Sequence, residues 1–377
     1  MTITTFDTLR VGHHIIARIG TDDGDIGFGE AHPATGTAGD PLAVLGALDQ
    51  ARHLIIGRKA EQIESIWQHL FRAQLFRGGS DAMAALSAID VALWDIAARR
   101  QGEPVHALLG GSVRERVRLY VHVRGDAPSQ LAEHAAQAVG DGFTAVRIYP
   151  FGPFDRNLPG TTAGIAALAA RNVEAVRDAV GPEIDIIIDA VCRLTPAEAL
   201  QVAQAIAPAT PLYFEDPIEA DDPTATVRFA ARSPVPVGAG ERLLTIFDFQ
   251  QLLAEGNIGY IRPDPSLVGG FTGMRKIAAL AEAAYATVVP HNPLSPVLSA
   301  ACVAFATATQ VATMVEYVGP CPEEHRSQFP GLIEPIAGYM PLPEGPGLGV
   351  EVRPSTGQPE TYNRPPLMNA DGSLRDY

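Results

Sequence analysis

The sequence predicts an α/β protein, a closed parallel β/α barrel fronted by a smaller α+β domain. Three observations carry this. From about residue 117, short β-branched or aromatic runs alternate with Ala-rich amphipathic segments, the runs number eight, and each ends on or near a polar residue. Alternating strand and helix signals argue for a parallel sheet, and eight units in roughly 200 residues fit a sheet that closes on itself.

The runs are VRLYVHV, FTAVRIY, DIIIDA, PLYFED, VPVGAGE, IGYIRPD, ATVVPH and TMVEY. Their polar residues, His122, Arg147, Asp189, Glu215, Glu241, Asp264, His291 and Glu316, stand 25, 42, 26, 26, 23, 27 and 25 residues apart. Only the second interval breaks the rhythm, where PFGPFDRNLPGTT reads as an inserted loop near residues 151–162. A charge at the end of a buried strand is costly unless something compensates it. In a parallel barrel the C-terminal strand ends meet on one face, so these side chains would ring a single mouth. An open doubly wound sheet would spread them along an edge and usually carries a Gly-rich phosphate turn, for which GDGF is a poor match.

Ahead of the barrel, HHIIARIG and DIGFGEA flank TDDG, a strand–turn–strand pattern, and AHPATGTAGDP after Glu30 reads as a loop. The clearest helix is SDAMAALSAIDVALWDIAARRQGEP. Ser80 is placed to cap it, Leu86, Ile89, Leu93 and Ile96 form an apolar stripe, and Arg99 and Arg100 precede the stop at Gly102 and Pro104. Behind the barrel, GYMPLPEGPGLGVEV and a Pro-rich tail do not form another unit and are expected to return to the first domain. The expected boundaries are 1–115 for the capping domain, 116–325 for the barrel and 326–377 for the returning segment.

Hydrophobic residues make up 46% of the chain, enough for a sizeable core, and the net charge of −15 argues against nucleic acid or an anionic membrane as partner. Cys192, Cys302 and Cys321 show no CxxC spacing, so neither a disulfide framework nor a zinc site is expected. No uncharged apolar run reaches the roughly 18 residues of a membrane span, and the first twenty or so residues lack a signal-peptide pattern. A cytoplasmic location is the expectation.

Asp189, Glu215 and Glu241 end three successive strands and make a hard, all-oxygen site suited to Mg²⁺, with Mn²⁺ the next choice. Without a cation they would repel one another and raise each other's pKa. Any one of them alone could simply pair with Arg193, Arg242 or solvent; three at near-equal spacing favour the metal. His291 and Asp264 end neighbouring strands, where the carboxylate can fix the imidazole tautomer and sharpen it as a base. Glu316 could bond a substrate oxygen as a neutral acid, or equally stand in a salt bridge or at a solvent-exposed strand end. A divalent cation facing an imidazole base suits removal of the proton next to a carboxylate, with the cation steadying the enediolate.

In this order, ALSAIDVALWDIAARRQGEPVHALLGG, YFEDP, GERL, RPDPSLVGGFTGMRKIAALAEA, PHNPLSPV and PEGPGLGVEV resemble segments of the mandelate racemase/muconate lactonizing branch of the enolase superfamily. Within it the likeness is to the acid-sugar dehydratases of the mannonate and galactonate type, and it covers nearly the whole chain. The resemblance implies an α+β cap on a modified TIM barrel, (β/α)7β. It also implies one Mg²⁺ per subunit on Asp189, Glu215 and Glu241, a His291–Asp264 base dyad, a small sugar acid as substrate and a homo-oligomer.

Two departures stand out. Relatives carry Lys-x-Lys after strand two, where this chain has Arg147-Ile148-Tyr149; galactonate-type enzymes carry Asp-x-His after strand three, here Asp189-Ala190-Val191. Arg147 could neutralise a carboxylate or only pair with a Glu or Asp at the barrel mouth. It could also lower the pKa of Tyr149 and make it an acid or base, as the arginine and tyrosine of some mannonate dehydratases suggest. His122 and His32 are candidates for contacts to distal hydroxyls. The expected reaction is dehydration of a sugar acid to a 2-keto-3-deoxy acid, the leaving group protonated by His291 in a syn course or Tyr149 in an anti course. An epimerase or racemase, a cycloisomerase, and a barrel that keeps its metal but only binds ligands are the alternatives.

Overall fold

The computed structural model describes residues 1–33, 41–75, 77–152 and 157–354, with the backbone of two short paired strands, Leu367–Met368 and Leu374–Arg375. Most of the loop expected after Glu30 and part of the insertion near 151–162 lie outside these residues.

The chain opens with an antiparallel sheet, β1 (Ile3–Val11), β2 (His14–Thr21) and β3 (Ile26–Ala31), in that order. The β2–β3 pair matches expectation; β1 is additional. Of its nine residues only Ile3, Phe6 and Val11 are buried, so it lacks the period-two alternation that marks a strand in sequence. Helices α1 (Leu42–Ile55), α2 (Ile63–Ala73), α3 (Ser80–Gln101) and α4 (Val105–Leu108) complete the cap. α3 presses directly on β3. A Cβ at Gly27 would lie 2.2 Å from the Ala92 carbonyl oxygen, and one at Gly29 2.0 Å from that of Ala88. The expected cap is corrected. Ser80 is the first helical residue, the cap position is Gly79, and no side chain bonds there. The C-terminal stop holds, at Gly102 with φ 70°.

Eight parallel strands follow: β4 (Arg116–Val123), β5 (Ala145–Ile148), β6 (Asp185–Asp189), β7 (Tyr213–Glu215), β8 (Val237–Ala239), β9 (Tyr260–Ile261), β10 (Thr287–Val288) and β11 (Val315–Tyr317). They pair in the order β10-β9-β8-β7-β6-β5-β4-β11, and a parallel bridge from Val288 to Ala312 joins the two ends of that path. Between them run α5 (Pro128–Gly140), α6 (Thr162–Val180), α7 (Pro196–Ile206), α8 (Pro223–Ala230), α9 (Ile246–Leu253), α10 (Gly270–Ala283) and α11 (Pro296–Ala308). The expected cap-on-barrel architecture is the one observed. After α12 (Glu323–Arg326), β12 (Tyr339–Pro341) pairs antiparallel with the first turn of β4. The segment then reaches the cap, where Val105 N–H donates to the Gly347 carbonyl at 2.9 Å.

Strand alternation positions the site. Side chains two residues apart share a face. Tyr120, Ala145, Ile187, Tyr213, Val289 and Met314 form one buried cluster, each two residues before His122, Arg147, Asp189, Glu215, His291 and Glu316. This apolar layer floors the polar ring. Arg262, fully buried and two residues before Asp264, adds a charge at that lower level.

Candidate active site

The turn after β6 is strained. Val191 and Cys192 have φ 54° and 57°, and Asp216 after β7 has φ 36°. Left-handed backbone at non-glycine residues costs on the order of 1–3 kcal/mol each and persists only where neighbours enforce it. Here Val191 N–H donates to Asp189 Oδ1 at 2.8 Å and Cys192 N–H to the Asp216 carbonyl at 2.7 Å. The two turns lock together and fix where their carboxylates point.

Glu215, Asp216 and Glu241 each present an oxygen within 4.8 Å of the others. Asp189 is not in that trio. It pairs across the strands with Glu215, and its Oδ2 accepts from Arg147 Nη2. Both Glu215 oxygens are buried with no aligned hydrogen-bond donor. Arg262 Nε stands 2.5 Å from Oε1 and Arg147 Nε 3.8 Å from Oε2, as charges only. Burial pushes the Glu215 carboxyl well above the usual range, and burial with Glu241 and Asp189 alongside pushes Asp216 up to about 7. Carboxylates buried together with so few donors fit a hard cation. Glu215 and Glu241 would hold it, with Asp189 or Asp216 as the third oxygen donor.

His291 Nδ1 donates to Asp264 Oδ2 at 2.8 Å, and Asp264 Oδ1 accepts from the Ser266 N–H at 2.7 Å and hydroxyl at 2.5 Å. That leaves Nε2 as the nitrogen that exchanges the proton, and it lies 3.5 Å from Glu241. Burial opposes a charge on His291, but Glu241, the Asp264 bond and Glu316 outweigh it and raise its pKa to about 9. A cation on Glu241 would take away part of that pull.

The opposite wall is a network around Arg147, which is buried and donates to Glu316 Oε1 at 2.8 Å and to the Tyr149 hydroxyl at 3.0 Å. Glu316 also accepts from Arg262 Nη2 and His122 Nε2, both at 2.6 Å, and from Asn292 N–H at 3.0 Å. Burial opposes its charge, yet Arg262 and Arg147 hold it well below the usual carboxylate range. Glu316 is therefore an ionised brace, which favours the salt bridge over the neutral donor among the readings the sequence allowed. His122 spends Nε2–H on Glu316, and burial followed by Arg147 lowers its pKa to about 4, so it is a neutral strut. The expectation for Tyr149 is corrected as well. Arg147 does favour its phenolate, but burial dominates and the pKa rises. Tyr149 is held as the neutral phenol.

His32 reaches the dyad from the cap. Its Nε2 lies 4.0 Å from Asp264 Oδ2, and its ring stacks over that of His291 with centroids 6.4 Å apart. The sequence reading missed Arg262, Asp216 and Glu30. Arg262 was discoverable, since it shares the inward face with Asp264 in IRPD. Glu30 has no such signal: it accepts from Ser295 N–H at 3.1 Å and Leu298 N–H at 3.3 Å, capping α11 from the other domain.

Residues 1–110 match the mandelate racemase/muconate lactonizing enzyme N-terminal domain, and residues 130–356 the enolase C-terminal domain-like family. The chain belongs to the enolase superfamily. Within it, the chain is 32% identical to a D-galactonate dehydratase of Variovorax paradoxus over the full length of both. It is also 32% identical to a D-gluconate dehydratase of Thermoproteus tenax, over 92% of this chain and 69% of that one. A putative galactarate dehydratase structure from Agrobacterium radiobacter, with bound sodium and L-malate, superposes with a TM-score of 0.89 at 28% identity over all of both chains. In this superfamily member no helix among the described residues is long and apolar enough to cross a membrane.

Proposed function

We propose that the protein is a Mg²⁺-dependent hydro-lyase that converts a sugar acid to its 2-keto-3-deoxy product. The observation that carries this is the His291–Asp264 dyad, bonded at 2.8 Å, with its Nε2 turned to the carboxylate cluster. The donor set suits Mg²⁺, which when bound would hold the substrate carboxylate and stabilise the negative charge that develops beside it.

The residues of the chain supply the remaining steps. His291 Nε2 removes the proton from the carbon next to the carboxylate, and Asp264 stabilises the imidazolium that results. Arg147 and Arg262 sit behind the cluster and keep Glu316 ionised, so the wall opposite the base stays rigid. The hydroxyl on the next carbon must leave with a proton. On the far face the Tyr149 phenol is the donor at hand; on the near face His291 itself is. With Val191 where galactonate-type relatives carry a histidine, the strand-three position supplies no proton. An epimerase needs a base on each face, and the raised pKa of Tyr149 makes it a poor one.

The test is a screen of hexonic, pentonic and aldaric acids with Mg²⁺, reading 2-keto-3-deoxy products as semicarbazones. D-galactonate and D-gluconate come first, because relatives carry those names. Exchange of the α-proton with D₂O and no loss of water from any acid would overturn dehydration in favour of an epimerase or cycloisomerase.

A further inference from the structure

The end of β3 is clamped onto the barrel. Glu30, its side chain wholly buried, is held by His14 Nδ1 at 2.9 Å and by the Ser295 hydroxyl at 2.5 Å, besides the two N–H groups at the start of α11. Those contacts tie Glu30 to the helix that follows the His291 loop. Two residues on, His32 Nε2 comes to 4.0 Å from Asp264 Oδ2, the same oxygen that accepts from His291. One carboxylate thus has two imidazoles beside it, the barrel's His291 hydrogen-bonded and the cap's His32 within reach of its charge. Their rings are inclined by only 20° and their centroids are 6.4 Å apart. Both side chains are only 13% exposed. Two nearly parallel imidazoles at that separation can address neighbouring substituents on one face of a carbon chain.

We propose that His32 is a catalytic residue, the acid that protonates the departing hydroxyl on the face from which His291 takes the α-proton. The assignment rests on the dehydratase reading above and makes the elimination syn. The C2–H bond breaks and its proton goes to His291 Nε2, leaving the electron pair in the enediolate. That pair forms the C2–C3 double bond as the C3–O bond breaks, and the oxygen departs as water with the proton of His32. The enol then returns its hydroxyl proton to His32 while His291 protonates C3, so both imidazoles are restored and the product is the 2-keto-3-deoxy acid. Asp264 stays ionised throughout, with both His291 and His32 favouring its charge. Val191 leaves the strand-three position without a proton to give, and the cap supplies one instead.

A leaving group that needs no proton separates this role from substrate binding or folding. The His32→Asn and His32→Gln variants are assayed with Mg²⁺ on D-galactonate and D-gluconate and on their 3-deoxy-3-fluoro counterparts. Losing a general acid should slow water loss by about 10²–10⁴-fold, whereas fluoride release and exchange of the C2 proton in D₂O stay near wild type. Fluoride release also reports that each variant is folded. Equal losses for hydroxyl and fluoride in both variants, total loss included, would overturn the acid role, as would undiminished water loss. A wild type that releases fluoride but never water would defeat the dehydratase reading itself, and a wild type silent on every compound defeats both.

Discussion

Two buried carboxylates, one at the seam between cap and C-terminal segment and one at the barrel mouth, are treated in opposite ways. Asp95 on α3 is fully buried and fully served. Its Oδ2 accepts from Phe28 N–H at 3.0 Å, and its Oδ1 from Leu348 N–H at 2.8 Å and Arg99 Nε at 2.9 Å. Burial still raises its pKa, but only to about 6. Glu215 on β7 is equally buried and has no aligned donor at all. The first carboxylate joins β3, α3 and the returning chain. The second has guanidinium charges beside it but no hydrogen bond, which leaves both oxygens open to a metal ion. A buried acid with its donors supplied is structure, and one deprived of them beside other acids is a site.

The largest break in that contrast comes from the dyad that faces the deprived cluster. His291→Asn should lower turnover by at least about 10²–10⁴-fold and abolish C2-proton exchange in D₂O. Persisting exchange would move the base elsewhere. EDTA should likewise remove activity, and Mg²⁺ should restore it.

Asp90 is an intermediate case. It lies on α3 against α10, with Thr272 N–H at 3.0 Å on Oδ2 and no partner on Oδ1. Burial lifts its pKa from the ordinary aspartate value to about 7. The folded protein therefore holds the proton more tightly than the unfolded chain does. The penalty for ionising Asp90 is absent below about pH 4, grows as pH rises, and is complete above about pH 7, with an upper bound of about 4 kcal/mol. Asp90→Asn should flatten that limb of a denaturation series between pH 4 and 8. An unchanged pH profile would show that one donor suffices.

Glu215→Gln sharpens the comparison at its other end. Burial already disfavours the Glu215 charge, so the amide should leave the melting temperature in EDTA nearly unchanged. What should vanish is the rise on adding Mg²⁺, worth about 2.7 kcal/mol at a hundredfold excess over Kd. A retained rise would place the cation elsewhere.

Much of the barrel was legible because its signals are local and repeated. Eight β-branched runs at near-constant spacing suffice for the fold, and their last polar residues for the ring. β1 was not legible, because its apolar residues do not alternate. Asp216 was hidden by the rule that found Glu215: adjacent strand residues should face opposite ways. The φ of 36° at Asp216 breaks that rule and brings it to the cluster. The directions of proton affinity at Tyr149 and Glu316 depend on burial and on two arginines from other strands, which spacing does not reveal. Glu30 meets α11 across 265 residues of chain, a contact without any local signature.

The smallest expected effect tests the satisfied carboxylate. Asp95→Asn keeps an oxygen for Leu348 N–H and Arg99 Nε but turns an amide NH₂ toward Phe28 N–H. One hydrogen bond is lost and two donors face each other, a cost of about 1–3 kcal/mol. The melting temperature in EDTA should fall accordingly, while the rise on adding Mg²⁺ and the turnover number of the folded enzyme stay as in wild type. This is the mirror image of Glu215→Gln. If Asp95→Asn instead weakened Mg²⁺ binding and left the EDTA melting temperature alone, donor supply would not be what separates a structural carboxylate from a functional one here.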